Sequence, residues 1–262
     1  MNENLKWIAA AVAVVGLSVG AVVYFSRGHE KAPVEKPVAV TPPPEAAPAE
    51  PPIKHPLPAP DTDQALPPLD ESAKPLQGAL EDLAGKQAVE RYLVPEDLIR
   101  HIVVTIDNLP NEKVAERLRP LKPVPGAFVA GGTEDARVLD PANYDRYKPL
   151  VQLLRSTDTQ RLVDIYTRYY PLFQEAYENL GHPPQYFNDR LIEVIDHLLA
   201  APELQGPIAL TQPSVQYEYA DAALESLSAG QKILVRMGRE NAGVVKAKLR
   251  ELRQRLVAQR PG

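Results

Sequence analysis

The sequence predicts a mainly α protein: an N-terminal single transmembrane helix, a proline-rich linker, then a compact multi-helix domain with one short β-hairpin. Three observations carry that expectation. Residues 7–25, WIAAAVAVVGLSVGAVVYF, are nineteen consecutive positions without a charge. Thirteen of the 28 prolines fall between Lys31 and Pro68. From Leu69 onward, apolar residues recur at three- and four-residue intervals between helix-capping signals. The boundaries read as a short tail (1–6), a membrane span (7–25), a flexible linker (26–68), a helical globular domain (69–256) and a C-terminal tail (257–262).

At about 1.5 Å of rise per residue the apolar run spans roughly 28 Å as a helix, close to the hydrocarbon thickness of a bilayer. A cleaved signal peptide would have a shorter apolar core and a small-x-small site after it. Here the run ends in Val23-Tyr24-Phe25-Ser26-Arg27, bulky and then charged, which favours an uncleaved anchor. Trp7 and Tyr24 suit interfacial positions, with Lys6 and Arg27 just outside. Counting basic residues, Lys6 and the amino terminus against Arg27, Lys31 and Lys36, favours a cytosolic domain. Long downstream domains translocate largely regardless of charge, however, and the six-residue tail is the easier part to leave inside. The expectation is a bacterial inner-membrane protein with a periplasmic C-terminal domain. Gly16 and Gly20 form a GxxxG pair that offers a homodimer contact, although chance explains such spacing as well in a run so rich in small residues.

In the linker, runs such as Thr41-Pro42-Pro43-Pro44 leave no apolar periodicity and few backbone donors. Either a semi-rigid polyproline-II spacer or a disordered stalk fits. As a spacer, its 38 residues from Lys31 to Pro68 reach as far as about 120 Å at ~3.1 Å each.

Within the domain, Ser72 is placed to cap a first helix with Leu76, Leu80 and Leu83 on one face. Pro95-Glu96-Asp97 opens a second, with Leu98, Ile102, Ile106 and Leu109 as its stripe. Prolines and Gly131-Gly132 mark residues 120–139 as a long loop holding at most a short strand at Ala127–Ala130. Asp140-Pro141 starts a helix to about Arg155, and Asp158 caps one that ends at Gly181. Another begins near Asn188 and runs to Ala200. Ile208–Leu210 and Ser214–Tyr219 read as the hairpin, across a Thr-Gln-Pro turn. Ser228 with Gln231 forms a capping box for a helix closing at Gly238, and a last helix runs from about Glu240 to Leu256.

The absence of cysteine excludes disulfides, thiolate metal sites and cysteine nucleophiles. The net charge of -5 hides an asymmetry: residues 232–262 carry nine Lys/Arg against two Asp/Glu.

Several strings together resemble one bacterial family. They are Leu121-Lys122-Pro123-Val124-Pro125-Gly126, LDPANYDRYKPLV (139–151), RYYPLFQEAYENLG (168–181), YFNDRLIEVIDHLL (186–199) and SAGQKILVRMGRENA (228–242). The family is domain of unknown function 3014, and the similarity covers about residues 69–255. It implies an envelope setting of the Gram-negative type and no established activity, so it assigns no catalytic residue.

Three constellations are candidates for chemistry. Asp189, Glu193, Asp196 and His197 lie on the polar arc of one helix, with Glu193 and His197 at i, i+4. A carboxylate beside an imidazole can act as an acid/base pair; an ordinary solvated face has the same pattern. From Leu69 onward no HExxH, GxSxG or Walker-type loop is present, and no metal or cofactor is expected. Tyr166, Tyr169 and Tyr170 at helical spacing, and Tyr144 and Tyr147 elsewhere in the chain, offer rings of the kind that bind sugars or peptide backbone. The same helical spacing serves a core, and burial separates the two. Lys246, Arg250 and Arg253 form a basic patch on the last helix, opposite a stripe of Val244, Val245, Leu249, Leu252 and Leu256. It suits anionic lipid, an acidic partner or solvent, and without interleaved aromatics no nucleic acid is expected. The expected function is a tethered binding or scaffolding module that engages an envelope protein or a peptidoglycan-type glycan. The alternative is a cell-wall hydrolase using Glu193 and His197.

Overall fold

Ten α-helices and two hairpins are present among the described residues, 52–59 and 65–259, of the computed structural model. The expected membrane span at 7–25, with Gly16 and Gly20, lies outside the described residues. Among the described residues, no helix is long and apolar enough to cross a membrane.

A 3-10 turn at Leu69–Glu71 leads into α1 (Ala73–Ala84), α2 (Lys86–Tyr92) and α3 (Leu98–Asn108). Ser72 stands at the start of α1, but its hydroxyl donates back to Leu69 O at 2.6 Å rather than accepting from the helix. The sequence predicts one helix before the one that Pro95-Glu96-Asp97 opens. Instead Gly85, at a φ of 87°, turns the chain into α2, whose Val89 is buried. Each turn of α3 buries apolar side chains, Leu98, Ile99, Ile102, Val103 and Ile106, so it runs through the interior.

After α3 the chain forms a first hairpin, β1 (Ala130–Thr133) with β2 (Ala136–Leu139), in place of the expected long loop with at most a short strand at Ala127–Ala130. Gly132 makes its turn possible: φ is 79°, and a Cβ there would stand 2.1 Å from Ala136 O. The buried amide of Asn143 pins the entry to this hairpin, accepting from Val129 N–H (3.0 Å) and donating to Val129 O (2.6 Å).

The helix expected from Asp140–Pro141 to Arg155 is two, α4 (Ala142–Asp145) and α5 (Lys148–Ser156). Pro149 accounts for the break, because it has no N–H for Asp145 O and its ring crowds that carbonyl. The Asp140 carboxylate still caps, accepting from Ala142 N–H at 2.8 Å. Next come α6 (Thr159–Asn179), capped by Asp158 as expected, and α7 (Phe187–Leu199). The second hairpin, β3 (Leu210–Thr211) with β4 (Glu218–Tyr219), sits where the sequence placed it but is shorter. A bridge between Val138 and Ala209 joins it to β2. A one-turn helix, α8 (Ala222–Glu225), then precedes α9 (Ala229–Arg236) and α10 (Arg239–Ala258). Ser228 caps α9 by accepting from Gln231 N–H at 3.2 Å; the Gln231 side chain, instead of closing the capping box, donates to His197 O at 3.1 Å.

Helix α3 packs against α6 and α7, while α10 lies across α5, α6 and α7. Their apolar stripes meet in one main core, and a smaller cluster of Leu139, Ile208, Leu210, Tyr219 and Val235 sits beneath the hairpins. The mainly helical domain with a short hairpin is thus present, with a second hairpin added.

Candidate functional site

The amino end of α7 gathers the richest set of polar contacts around the predicted candidates. Phe187, fully buried and stacked on Phe173 with ring centroids 5.8 Å apart, fixes the start of the helix in the core. Asn188 and Asp189 follow in its first turn, where the helix dipole favours a carboxylate. Part of the proline-rich stretch, residues 52–59, lies against them. Lys54 N–H donates to Asp189 Oδ2 at 3.0 Å and His55 N–H to Asp189 Oδ1 at 2.8 Å. A bend at Lys54–His55 lets these consecutive N–H groups converge on one carboxylate. Asn188 Nδ2 donates to His55 O at 2.7 Å, while its Oδ1 accepts from the Tyr166 hydroxyl at 3.2 Å. The Lys54 ammonium reaches Glu193 at 3.5 Å, and Leu57 packs onto the main core.

The next residue, Arg190, bridges Glu193 (3.6 Å) and Asp107. Its Nε donates to Asp107 Oδ1 at 2.8 Å and its Nη2 to Asp107 O at 2.6 Å. His182 Nε2 lies 3.2 Å from the other Asp107 oxygen, with its ring stacked on Tyr177 at 4.6 Å. Asn188, Arg190, Asp107, His182 and Lys54 join the site beyond the four residues predicted for it on α7. Arg190, three residues before Glu193, carries a local signal in that i, i+3 spacing.

The four polar residues predicted on α7 do not converge. Asp189 holds the 52–59 segment and Glu193 pairs with Lys54 and Arg190. Asp196 takes a two-point contact from Arg253, at 2.6 and 2.9 Å. His197 Nε2 lies 2.8 Å from Ser228 Oγ. Burial, then the positive charge of Arg190, lower the His197 pKa. A neutral imidazole can accept from the Ser228 hydroxyl while that oxygen accepts from Gln231, so the histidine completes the α9 cap. Among the described residues no group of three or more His, Cys, Asp or Glu could hold a metal ion.

The tyrosines divide by burial. Tyr147 and Tyr169 are core residues. Tyr166 and Tyr170 pack on that core and spend their hydroxyls on Asn188 and Gln174. Burial raises the pKa of Tyr166 well above that of a free phenol, and that of Tyr170 to about 12. Tyr144 alone of the five borders a roomy cavity, of about 400 Å³, with Glu203, Leu204, Ile208, Gly238 and Arg239. Its ring also packs so tightly on Gly238 that a Cβ there would stand 2.7 Å away.

The basic patch needs correction. Lys246 is 3% exposed, its ammonium donating to Ala201 O (2.6 Å) and Glu203 (3.1 Å). The loop after α7 folds over it, and the aliphatic stem of lysine tolerates such burial when its head is paired. Arg253 is held by Asp196, and Arg250 is exposed. The three cations therefore do not form one solvent-facing surface.

Residues 98–253, from α3 into α10, match the family described as Protein of unknown function (DUF3014). The chain belongs to that family. The DUF3014 match includes α7 and its contacts with α9 and α10, whereas the 52–59 segment and the helices α1 and α2 precede it. No curated protein and no solved structure matches the chain.

Proposed function

We propose that the protein is a membrane-tethered envelope module whose helical domain binds a protein partner. The observation that carries this reading is the amino end of α7, where Asn188 and Asp189 hold the main chain of a non-helical peptide segment through three hydrogen bonds. Main-chain contacts of this kind supply affinity, and neighbouring side-chain contacts supply selectivity. The uncharged run at 7–25 supplies the anchor and the proline-rich stretch the reach, with the domain in the periplasm. Support for a cell-wall hydrolase is thinner, because Glu193 and His197 are engaged by different elements, Lys54 with Arg190 on one side and Ser228 on the other. A glycan platform has little support either, since four of the five candidate tyrosines pack into or onto the main core.

In vivo photo-crosslinking of the full-length chain tests this reading, with a crosslinking residue replacing the exposed Glu193. A recurrent protein adduct is expected. Absence of any adduct, together with turnover of a cell-wall fragment by the purified chain, would reverse the choice between module and hydrolase. A reporter fused after Gly262 is expected to give a periplasmic signal, and a cytosolic one would overturn the orientation.

A further inference from the structure

The segment that α7 holds comes from the chain's own proline-rich stretch, which makes the occupant of the site known. We propose that the Asn188–Asp189 end of α7 is a recognition site for a bent, proline-flanked Lys-His-Pro-Leu segment, filled here in cis and able to take the same segment from a second copy of this chain. This rests on the reading of the domain as a protein-binding module and names its partner.

Four observations support it. Recognition is directed at the main chain: both oxygens of one carboxylate accept consecutive N–H groups, and the adjacent amide donates to the carbonyl of the second residue. Any segment able to bend in this way can satisfy those three bonds. Side chains then select, since Lys54 meets the carboxylate of Glu193 and Leu57 reaches the core. The occupant is also cheap to order, because Pro51, Pro52, Pro56 and Pro58 leave little backbone freedom to lose. Finally, the site is built rather than incidental. Asn188 is 1% exposed and its carbonyl is fixed by the Tyr166 hydroxyl, so the amide presents its N–H₂ to the peptide without reorganising. Tyr166 is thus a positioning residue.

The segment lies 135 residues from Asp189 in sequence and precedes the 3-10 turn that begins the domain. An identical segment on a neighbouring chain presents the same groups. Exchanging it costs no contact, which is the thermodynamic basis of domain swapping. Anchoring in one membrane raises the local concentration of such neighbours, in competition with the high effective concentration of the cis segment.

The test uses the full-length chain in lipid nanodiscs and a fluorescein-labelled peptide of residues 50–60, Glu-Pro-Pro-Ile-Lys-His-Pro-Leu-Pro-Ala-Pro. His55→Pro removes the N–H that bonds Asp189 and weakens the cis occupant. The labelled peptide is expected to bind the His55→Pro chain at least about tenfold more tightly than wild type, the scale of one charge-assisted hydrogen bond. Adding Asp189→Ala should remove that binding, as should a proline at the histidine position of the peptide. Equal binding to all three chains, or binding to none, overturns the site. Two differently tagged copies co-reconstituted in vesicles, with a photo-crosslinker in place of Lys54, address the second copy. An adduct to α7 of the other-tagged chain is expected. Peptide binding without such an adduct overturns the second copy as partner and points to a peptide of another protein. Loss of the peptide site while Glu193 crosslinking still finds a protein would refute this inference and leave the module reading standing.

Discussion

Helices α7 and α10 are both amphipathic, and their polar arcs invite similar readings, an acidic one for chemistry and a basic one for an anionic partner. The structure uses them differently. On α10, Lys246 holds Ala201 O, Lys248 holds Thr157 O and Thr159, and Arg253 holds Asp196. Each of these partners is fixed in the domain. The carboxyl end of α7 behaves the same way, through Asp196 and His197. Its amino end instead holds a segment that enters from outside the domain and is kept by a handful of hydrogen bonds and one apolar side chain. The two arcs thus differ in what faces them: folded parts of the helical domain along α10, and a stretch of the proline-rich segment at the amino end of α7.

That contrast can be broken at its base first. Phe187 carries the amino end of α7 on a stack with Phe173 and contacts with Tyr166 and Tyr177. Phe187→Ala is expected to cost about 3–5 kcal/mol, read as a drop in the urea unfolding midpoint, because the cavity is walled by rings that cannot collapse into it. Second is the buried lysine. Lys246→Ala strands Ala201 O and is expected to cost about 1–3 kcal/mol, whereas Arg250→Ala on the same helix should stay within about 0.5 kcal/mol of wild type. Equal effects at the two positions would restore the solvated basic face.

The carboxyl end of α7 sharpens the comparison with a smaller effect. Asp196 and Arg253 are paired but substantially exposed, so Asp196→Ala is expected to cost no more than about 1 kcal/mol. It should leave the 52–59 segment in place. The smallest effect concerns pH. With its pKa lowered by burial and by Arg190, His197 binds a proton later in the folded chain than in the unfolded one as pH falls. Stability is therefore full above about pH 6.5, declines as pH drops through that value, and levels once the folded imidazole is also charged. His101 is shifted in the same direction by burial and shares the loss. Unfolding midpoints measured from pH 5 to 8 should show a shallower decline for His197→Asn than for wild type; an unchanged slope would place the titration elsewhere.

Much of the helical scaffold was legible because caps and apolar periodicity are local. Asp158 and Ser228 cap where the residue order put them, and the stripes of α3, α7 and α10 face the core. The helix break at Pro149 was legible in principle, since proline at that position removes a bond whatever the fold. The first hairpin was harder: Gly131-Gly132 reads as loop, and β2 also meets Ala209, far along the chain, through an isolated bridge at Val138. Lys246 shows the deeper limit. Helical spacing gives the angle at which a side chain leaves the axis, but not that the loop at Ala201 folds over it. Asp189 was recognised as a polar candidate, yet its partners are the backbone N–H groups of Lys54 and His55, which have no side-chain signature at all.

Those two N–H groups provide the most direct test. Amide hydrogen exchange of the full-length chain, resolved at Lys54 and His55, should be slow in wild type and close to that of a free peptide in Asp189→Ala, with the core amides of α3 unchanged in both. Fast exchange at Lys54 and His55 in the wild-type chain, or slow exchange that survives Asp189→Ala, would contradict the account.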